Sequence, residues 1–280
     1  MLQTHDREQG FTLVELLLVM GIIAILAAVL LPALQSAIGT VNKSATAAEI
    51  EQLDLAAQEF RSDFGFYPPD SLLDESGNVR VELNNGSDTI PVPEAMGPDI
   101  SNPANVTRGQ CLVFFLGTKF RANPSAGDEY TLVIDGEVQN VNGGPYFELP
   151  DAPGDEAGRV QNYYFIDKFG AADRSTAHYR FDNNVNDPNP GDSAYDNATI
   201  DARIDVKESG LDIWSAGADG RDLFQEFANG TSFTSSSGDH SGLERTDDEN
   251  GHLTKGDLPL PESVEDPDGN TVPVDEITNW

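Results

Sequence analysis

From Phe11 to Leu34 the chain reads FTLVELLLVMGIIAILAAVLLPAL, and Thr12 and Glu15 are the polar interruptions. As a helix, Phe11 to Leu31 would be roughly 30 Å long, the thickness of a bilayer's hydrocarbon core. The stretch is therefore long enough to cross a membrane. A cleaved secretory signal has an apolar core of about 7–15 residues ending at a small-residue cleavage site, so this run is too long to be one.

Glu15 is the residue that does not belong. An acidic side chain in lipid costs about 2.5–3.5 kcal/mol on insertion scales and calls for a partner. No Lys or Arg lies in the span to provide it. Either the carboxylate reaches the headgroups from near the helix end, or a cation on another molecule meets it. Gly21 and Pro32 are the other marked positions. Pro32 lacks an N–H and crowds the carbonyl of Ala28, so with Gly21 it marks a stretch able to bend, although both residue types are tolerated in ordinary membrane helices.

A short polar leader, MLQTHDREQ, precedes Gly10-Phe11-Thr12-Leu13-Val14-Glu15 and the apolar run. This arrangement resembles the class III signal of type IV pilins and type II secretion pseudopilins. The resemblance implies that prepilin peptidase cuts after Gly10 and that Phe11 becomes the N-methylated first residue. It also implies that Glu15 pairs with the N-terminal amine of a neighbouring subunit during filament assembly, which supplies the missing cation, and that Pro32 distorts the helix. The leader departs from the pattern in carrying Asp6 and Glu8 beside His5 and Arg7, so orientation from positive charge is weakly specified.

Beyond Leu34, Gly39 is the one breaker before Phe64, and Ile38, Val41, Ala45, Ala48, Leu53, Ala56 and Phe60 recur at nearly helical spacing. The pattern predicts one helix from Phe11 to about Ser62, its second half packing one face on a globular head. Gly65 is placed to cap it, and Pro68-Pro69 cannot continue it. The passage Phe60 to Pro68 is similar to the major pseudopilin of type II secretion.

The head reads as short strands between turn-rich loops. Val79–Leu83, Tyr130–Ile134, Glu137–Val141, Val160–Ile166, His178–Asp182 and Leu211–Ser215 are strand candidates, with Asp135-Gly136 as a two-residue hairpin turn. Thr107 with Gln110 three later forms a capping box for a short helix through Gly117. Asp182 to Asp196 and Gly220 to Pro273 read as loops. The expected fold is α+β, a long N-terminal helix on a small antiparallel sheet. The expected organisation is a leader at 1–10, a helix at 11–62 with its membrane part at 11–31, and a head at 63–280 with an acidic insertion at about 221–274.

Charge completes the picture. The chain of 280 residues carries a net charge of −32, which repels phosphate and excludes electrostatic binding to nucleic acid. Cys111 is the single cysteine, so neither an intrachain disulfide nor a cysteine zinc cluster can form. From Ser236 to Trp280 twelve carboxylates face only Arg245 and Lys255, a composition usual for a solvated surface or a mobile tail. Two fragments in the C-terminal region again resemble the major pseudopilin: Asp212 to Gly220, like its last strand and following loop, and Asp275 to Trp280, like its C-terminus. The resemblance implies calcium bound by carboxylates and backbone carbonyls of this region, with Asp219 and Asp275 as first side-chain ligands, Asp222 next, and Asp212 with carbonyls of Trp214 to Gly217 weaker. Ca²⁺ takes 6–8 oxygen ligands, which suits acidic Gly-containing loops. The family loop is compact, whereas here more than fifty residues separate the fragments. Asp266 to Asn270 begins like an EF-hand loop, but Pro267 and the missing twelfth-position Glu spoil it.

Enzyme chemistry finds no support. His5, His178, His240 and His252 are scattered, there is no G-x-S-x-G elbow, and no Gly-rich phosphate loop occurs. The resemblance implies a non-enzymatic structural subunit, calcium-braced, in a helical homo-oligomeric filament. Its partners would be prepilin peptidase, an inner-membrane assembly platform and minor pseudopilins. It would cross the inner membrane once with a periplasmic head. A surface type IV pilin is the alternative within that class; a membrane-tethered exported enzyme or binding module lies outside it.

Overall fold

The computed structural model describes residues 13–73, 77–92, 106–124, 129–148, 160–161, 164–165, 168, 179–183, 204–205, 211–217, 234–235, 243–245, 253–255, 263–265, 271–273 and 277–278. The chain divides into two compact units, 1–42 and 43–280. The helix α1 (Leu13–Phe64) begins in the first and ends in the second, two residues beyond the expected stop.

In the first unit α1 runs through Gly21, Pro32 and Gly39 without a break. Its apolar side chains face outward: Leu13 is 78% exposed, Val29 70% and Leu34 58%.

In the second unit the same helix buries a stripe made of Thr46, Ile50, Leu53, Ala56, Ala57, Phe60 and Phe64. The stop is a left-handed cap. Gly65 adopts φ 85° and its N–H donates to the Arg61 carbonyl at 2.8 Å, satisfying one of the helix's last acceptors. Arg61 then lies over the Tyr67 ring at 4.7 Å and donates to its hydroxyl, which ties the Tyr67-Pro68-Pro69 turn back to the helix. Phe60 is the hub of the core. It stacks on Phe64 at 4.4 Å and meets Phe66, Phe115, Phe120 and Tyr146 edge-on.

The second helix, α2 (Arg108–Gly117), starts at the expected capping box: Thr107 Oγ1 accepts from Gln110 N, and Gln110 Oε1 accepts from Thr107 N. It is buried almost throughout.

The main sheet joins β1 (Val81–Asn84), β2 (Thr89–Pro91), β3 (Lys119–Phe120), β4 (Glu129–Ile134) and β5 (Glu137–Val138). β4 pairs with β1 along Thr131–Ile134, with β3 through Glu129 and Tyr130, and with β5 through Val133 and Ile134. The β3 pairing is parallel, so the sheet is mixed rather than wholly antiparallel. At the β4–β5 turn Asp135 and Gly136 both take positive φ, 52° and 78°, as a type I′ hairpin requires.

Several strand boundaries differ from expectation. Val79 makes only an isolated bridge to Leu73. β5 stops at Val138, and the Val160–Ile166 run is two short antiparallel strands, β6 (Val160–Gln161) and β7 (Tyr164–Phe165). His178–Asp182 is displaced to β8 (Arg180–Asn183), with His178 outside the described residues. The strand β10 (Leu211–Ser215) falls where expected and lies between β8 and β16 (Ile277–Thr278).

The acidic stretch read as loop from Gly220 to Pro273 instead holds five short strands. These are β11 (Thr234–Ser235), β12 (Leu243–Arg245), β13 (Leu253–Lys255), β14 (Ser263–Glu265) and β15 (Thr271–Pro273). They form two sheets, β11-β14-β15 and β12-β13-β9, where β9 is Ile204–Asp205 and pairs parallel to β13. Backbone pairing offsets chain entropy here where apolar periodicity is absent.

Candidate functional site

Two regions bear on function, one in each unit. In the first, Glu15 sits in the first turn of α1, where a carboxylate is favoured by the helix dipole. An 18-residue window of α1 reaches a mean hydropathy of 2.9 with none of its residues buried, so by length and composition this helix can cross a membrane. Around Pro32, the side chains of Ala27, Leu30, Leu31, Ala33 and Leu34 line an open apolar depression of about 450 Å³. Small residues beside larger ones give a surface on which another helix can seat a side chain. Nothing within 4 Å would meet a Cβ on Gly21. Gly10 and Phe11 lie outside the described residues.

In the second unit, β10 and β16 pair antiparallel, Trp214 with Thr278 and Ser215 with Ile277. The two C-terminal fragments singled out in the sequence are thus neighbours in one sheet, although more than fifty residues separate them. Because the pairing is antiparallel, the chain leaving β10 and the chain entering β16 meet at the same end of the sheet. At that end Gly217 takes φ 77° and donates its N–H to Ser215 Oγ. Asp219, Asp222 and Asp275 follow or precede these strands by a few residues and lie outside the described residues. Asp212 is fully buried within β10, opposite Asp182 in register and roughly 10 Å along the strand from Ser215. Among the described residues no three His, Cys, Asp or Glu side chains are grouped to hold a metal ion.

Three polar features had no signal in the sequence because their partners meet only once the chain has folded. Glu49 on α1 accepts from the Tyr179 hydroxyl at 2.6 Å and pairs with Lys168, whose backbone N–H also donates to the buried Thr46 hydroxyl. Tyr146 donates to Asp63 at 2.9 Å; burial, then this bond and the charges of Asp63 and Glu59, push its phenol well above the usual tyrosine range. Glu129, beside Lys119 and Arg121, is held below the usual carboxylate range, chiefly by its hydrogen bond from Lys119.

Residues 5–31 match the prokaryotic N-terminal methylation motif. No curated protein and no solved structure matches the chain. The matched segment contains Gly10, Phe11, Glu15 and Gly21 and runs into the apolar part of α1, so the N-terminus carries the processing signal of a type IV pilin-like or pseudopilin precursor.

Proposed function

We propose that the chain is a structural subunit of a type II secretion pseudopilus. The observation that carries this reading is the methylation motif at residues 5–31, leading into a helix whose outward apolar face is left uncovered by the described residues. Residues 1–10 are a leader removed by prepilin peptidase at the inner membrane, and Phe11 is then N-methylated. The helix first anchors the chain with its head in the periplasm. It then packs with copies of itself into a helical filament, drawn up by an inner-membrane assembly platform and joined by minor pseudopilins. Glu15 sets register by meeting the N-terminal amine of a neighbour, and Pro32 with Gly21 lets the helix adjust.

Calcium braces the head in this reading. Asp219 and Asp275, with Asp222, are the side-chain donors, and the pairing of β10 with β16 supports the choice because it delivers both segments to one end of a sheet. Asp212 is the least suited, being buried inside the strand. The donors are all oxygen, as a hard cation requires.

Glu15→Val tests the assembly role. The expected result is an inserted, processed protein with a normally melting head that no longer forms filaments; normal assembly removes the role. Loss of exoprotein secretion on deletion supports the pseudopilus, whereas loss of surface fibres reassigns the chain to a type IV pilus. For calcium, chelation is expected to lower the head's melting temperature, since an ion at a hundred times its Kd adds about 2.7 kcal/mol. An unmoved melting curve discards the ion.

A further inference from the structure

The hairpin between β1 and β2 is closed by Asn85-Gly86-Ser87-Asp88, and its hydrogen bonds are local. Asn85 Oδ1 accepts from Ser87 N at 3.0 Å and from Asp88 N at 2.9 Å. Both donors follow Asn85 in the chain, so the carboxamide is folded forward along the backbone that contains the Gly86 nitrogen. The two N–H groups also polarise the carbonyl and face the oxygen on which negative charge would build if Cγ were attacked. The Gly86 N–H points to Asn84 Oδ1 at 2.7 Å. Gly86 itself is exposed, and its N–H is tied to the side chain of the adjacent Asn84, which can rotate away, rather than to a backbone carbonyl of the sheet.

A second Asn-Gly pair provides the contrast. Asn142 Oδ1 accepts from Ala122 N at 3.0 Å, across to another strand twenty residues away, so its carboxamide is drawn away from its own following amide. Gly143 is fixed as well: its N–H donates to Phe120 O at 3.1 Å, and Phe120 N donates back to Gly143 O at 2.8 Å.

We infer that Asn85-Gly86 is a self-modifying site, at which the chain converts its own asparagine to aspartate or isoaspartate through a cyclic imide, while Asn142-Gly143 is held intact. In the first step the Gly86 nitrogen forms a bond to Asn85 Cγ and the Cγ–Nδ2 bond breaks. The proton from the Gly86 nitrogen leaves with Nδ2 as ammonia. Water then adds to one imide carbonyl, giving aspartate if the new Cγ–N bond opens and isoaspartate if the original backbone C–N bond opens instead. No oxidant or reductant is involved. The product adds one negative charge to the hairpin, and the isoaspartate route also adds a backbone methylene at a tip that has no room. A Cβ on Gly86 would already lie 2.8 Å from the Pro124 carbonyl oxygen.

The test is peptide mapping by mass spectrometry of the full-length protein in detergent, aged in mildly alkaline buffer, with a parallel sample unfolded in urea. In the folded protein the Asn85 peptide is expected to gain one mass unit roughly ten- to a hundredfold faster than the Asn142 peptide, the scale by which misplacing reacting groups slows a reaction. In urea the two rates converge. Ageing in ¹⁸O-labelled water places one heavy oxygen in the converted peptide, and Asn142→Gln leaves the Asn85 rate unchanged. Equal rates in the folded protein, or the same ratio folded and unfolded, overturn the inference.

Discussion

The two stretches of α1 share one secondary structure and almost nothing else. From Leu13 to Asn42 the helix exposes Leu, Ile and Val on every side, with side chains such as Leu17 67% and Ile25 68% exposed. From Lys43 to Phe64 a single stripe is buried and the remaining faces are mostly polar, with Leu55 an exposed exception, the ordinary pattern of a helix on a globular core. Helix-forming residues secure both stretches, so helicity does not separate them. The medium each surface is built for does: the first requires lipid or other helices, and the second makes its own interior.

Truncating the core breaks this contrast most sharply. Phe60→Ala removes the ring that holds Phe64, Phe66, Phe115, Phe120 and Tyr146 together. A loss of about 3–5 kcal/mol is expected, read as a lower melting temperature of the head. Leu26→Ala, an equally apolar position in the first stretch, is expected to leave head stability within about 0.5 kcal/mol, because the side chain is exposed and takes no part in the core. A comparable drop for Leu26→Ala would erase the distinction.

Legibility in the sequence follows the same divide. The apolar run, the Gly65 stop, the Thr107 capping box, the Asp135-Gly136 turn and β10 were all readable, since each is written in adjacent or periodically spaced residues. β3 was not, because two residues carry no periodicity and their parallel partner is fixed by distant contacts. β2 contains Pro91, which argues against a strand except at a sheet edge, and that is its place. The acidic strands from Thr234 to Pro273 lack an alternating apolar face, so their composition reads as loop although their backbones pair. For the candidate site, likeness to a family could suggest that β10 and β16 are adjacent, but residue spacing carries no such signal across so long an insertion.

A smaller effect is expected at the contact that joins the second stretch of α1 to the C-terminal part of the head. Glu49→Gln keeps the side chain's shape but removes the charge that meets Lys168 and Tyr179. Because the Lys168 side chain is 32% exposed, water screens part of the interaction, and about 1–2 kcal/mol of stability is the expected cost. Chemical denaturation checks it. A double variant with Lys168→Met that costs no more than Glu49→Gln alone identifies the ion pair as the source; full additivity assigns the loss elsewhere.

A smaller loss again is expected at the end of the helix, where Tyr146 donates to Asp63. The folded state keeps the phenol protonated to higher pH than the unfolded chain, whose tyrosines titrate near pH 10. The bond's contribution is therefore full below about pH 10 and is lost as pH rises toward the folded-state value, because the unfolded state then releases the proton more readily. Tyr146→Phe removes the hydrogen bond and the titration together. At neutral pH it is expected to cost about 1 kcal/mol, and the gap to the wild type narrows as pH climbs past 10. Melting curves of both proteins at neutral and alkaline pH decide it. No gap at neutral pH would mean that Tyr146 stabilises the helix end by packing its ring against Phe60, a contact that Phe keeps, and not through the proton it shares with Asp63.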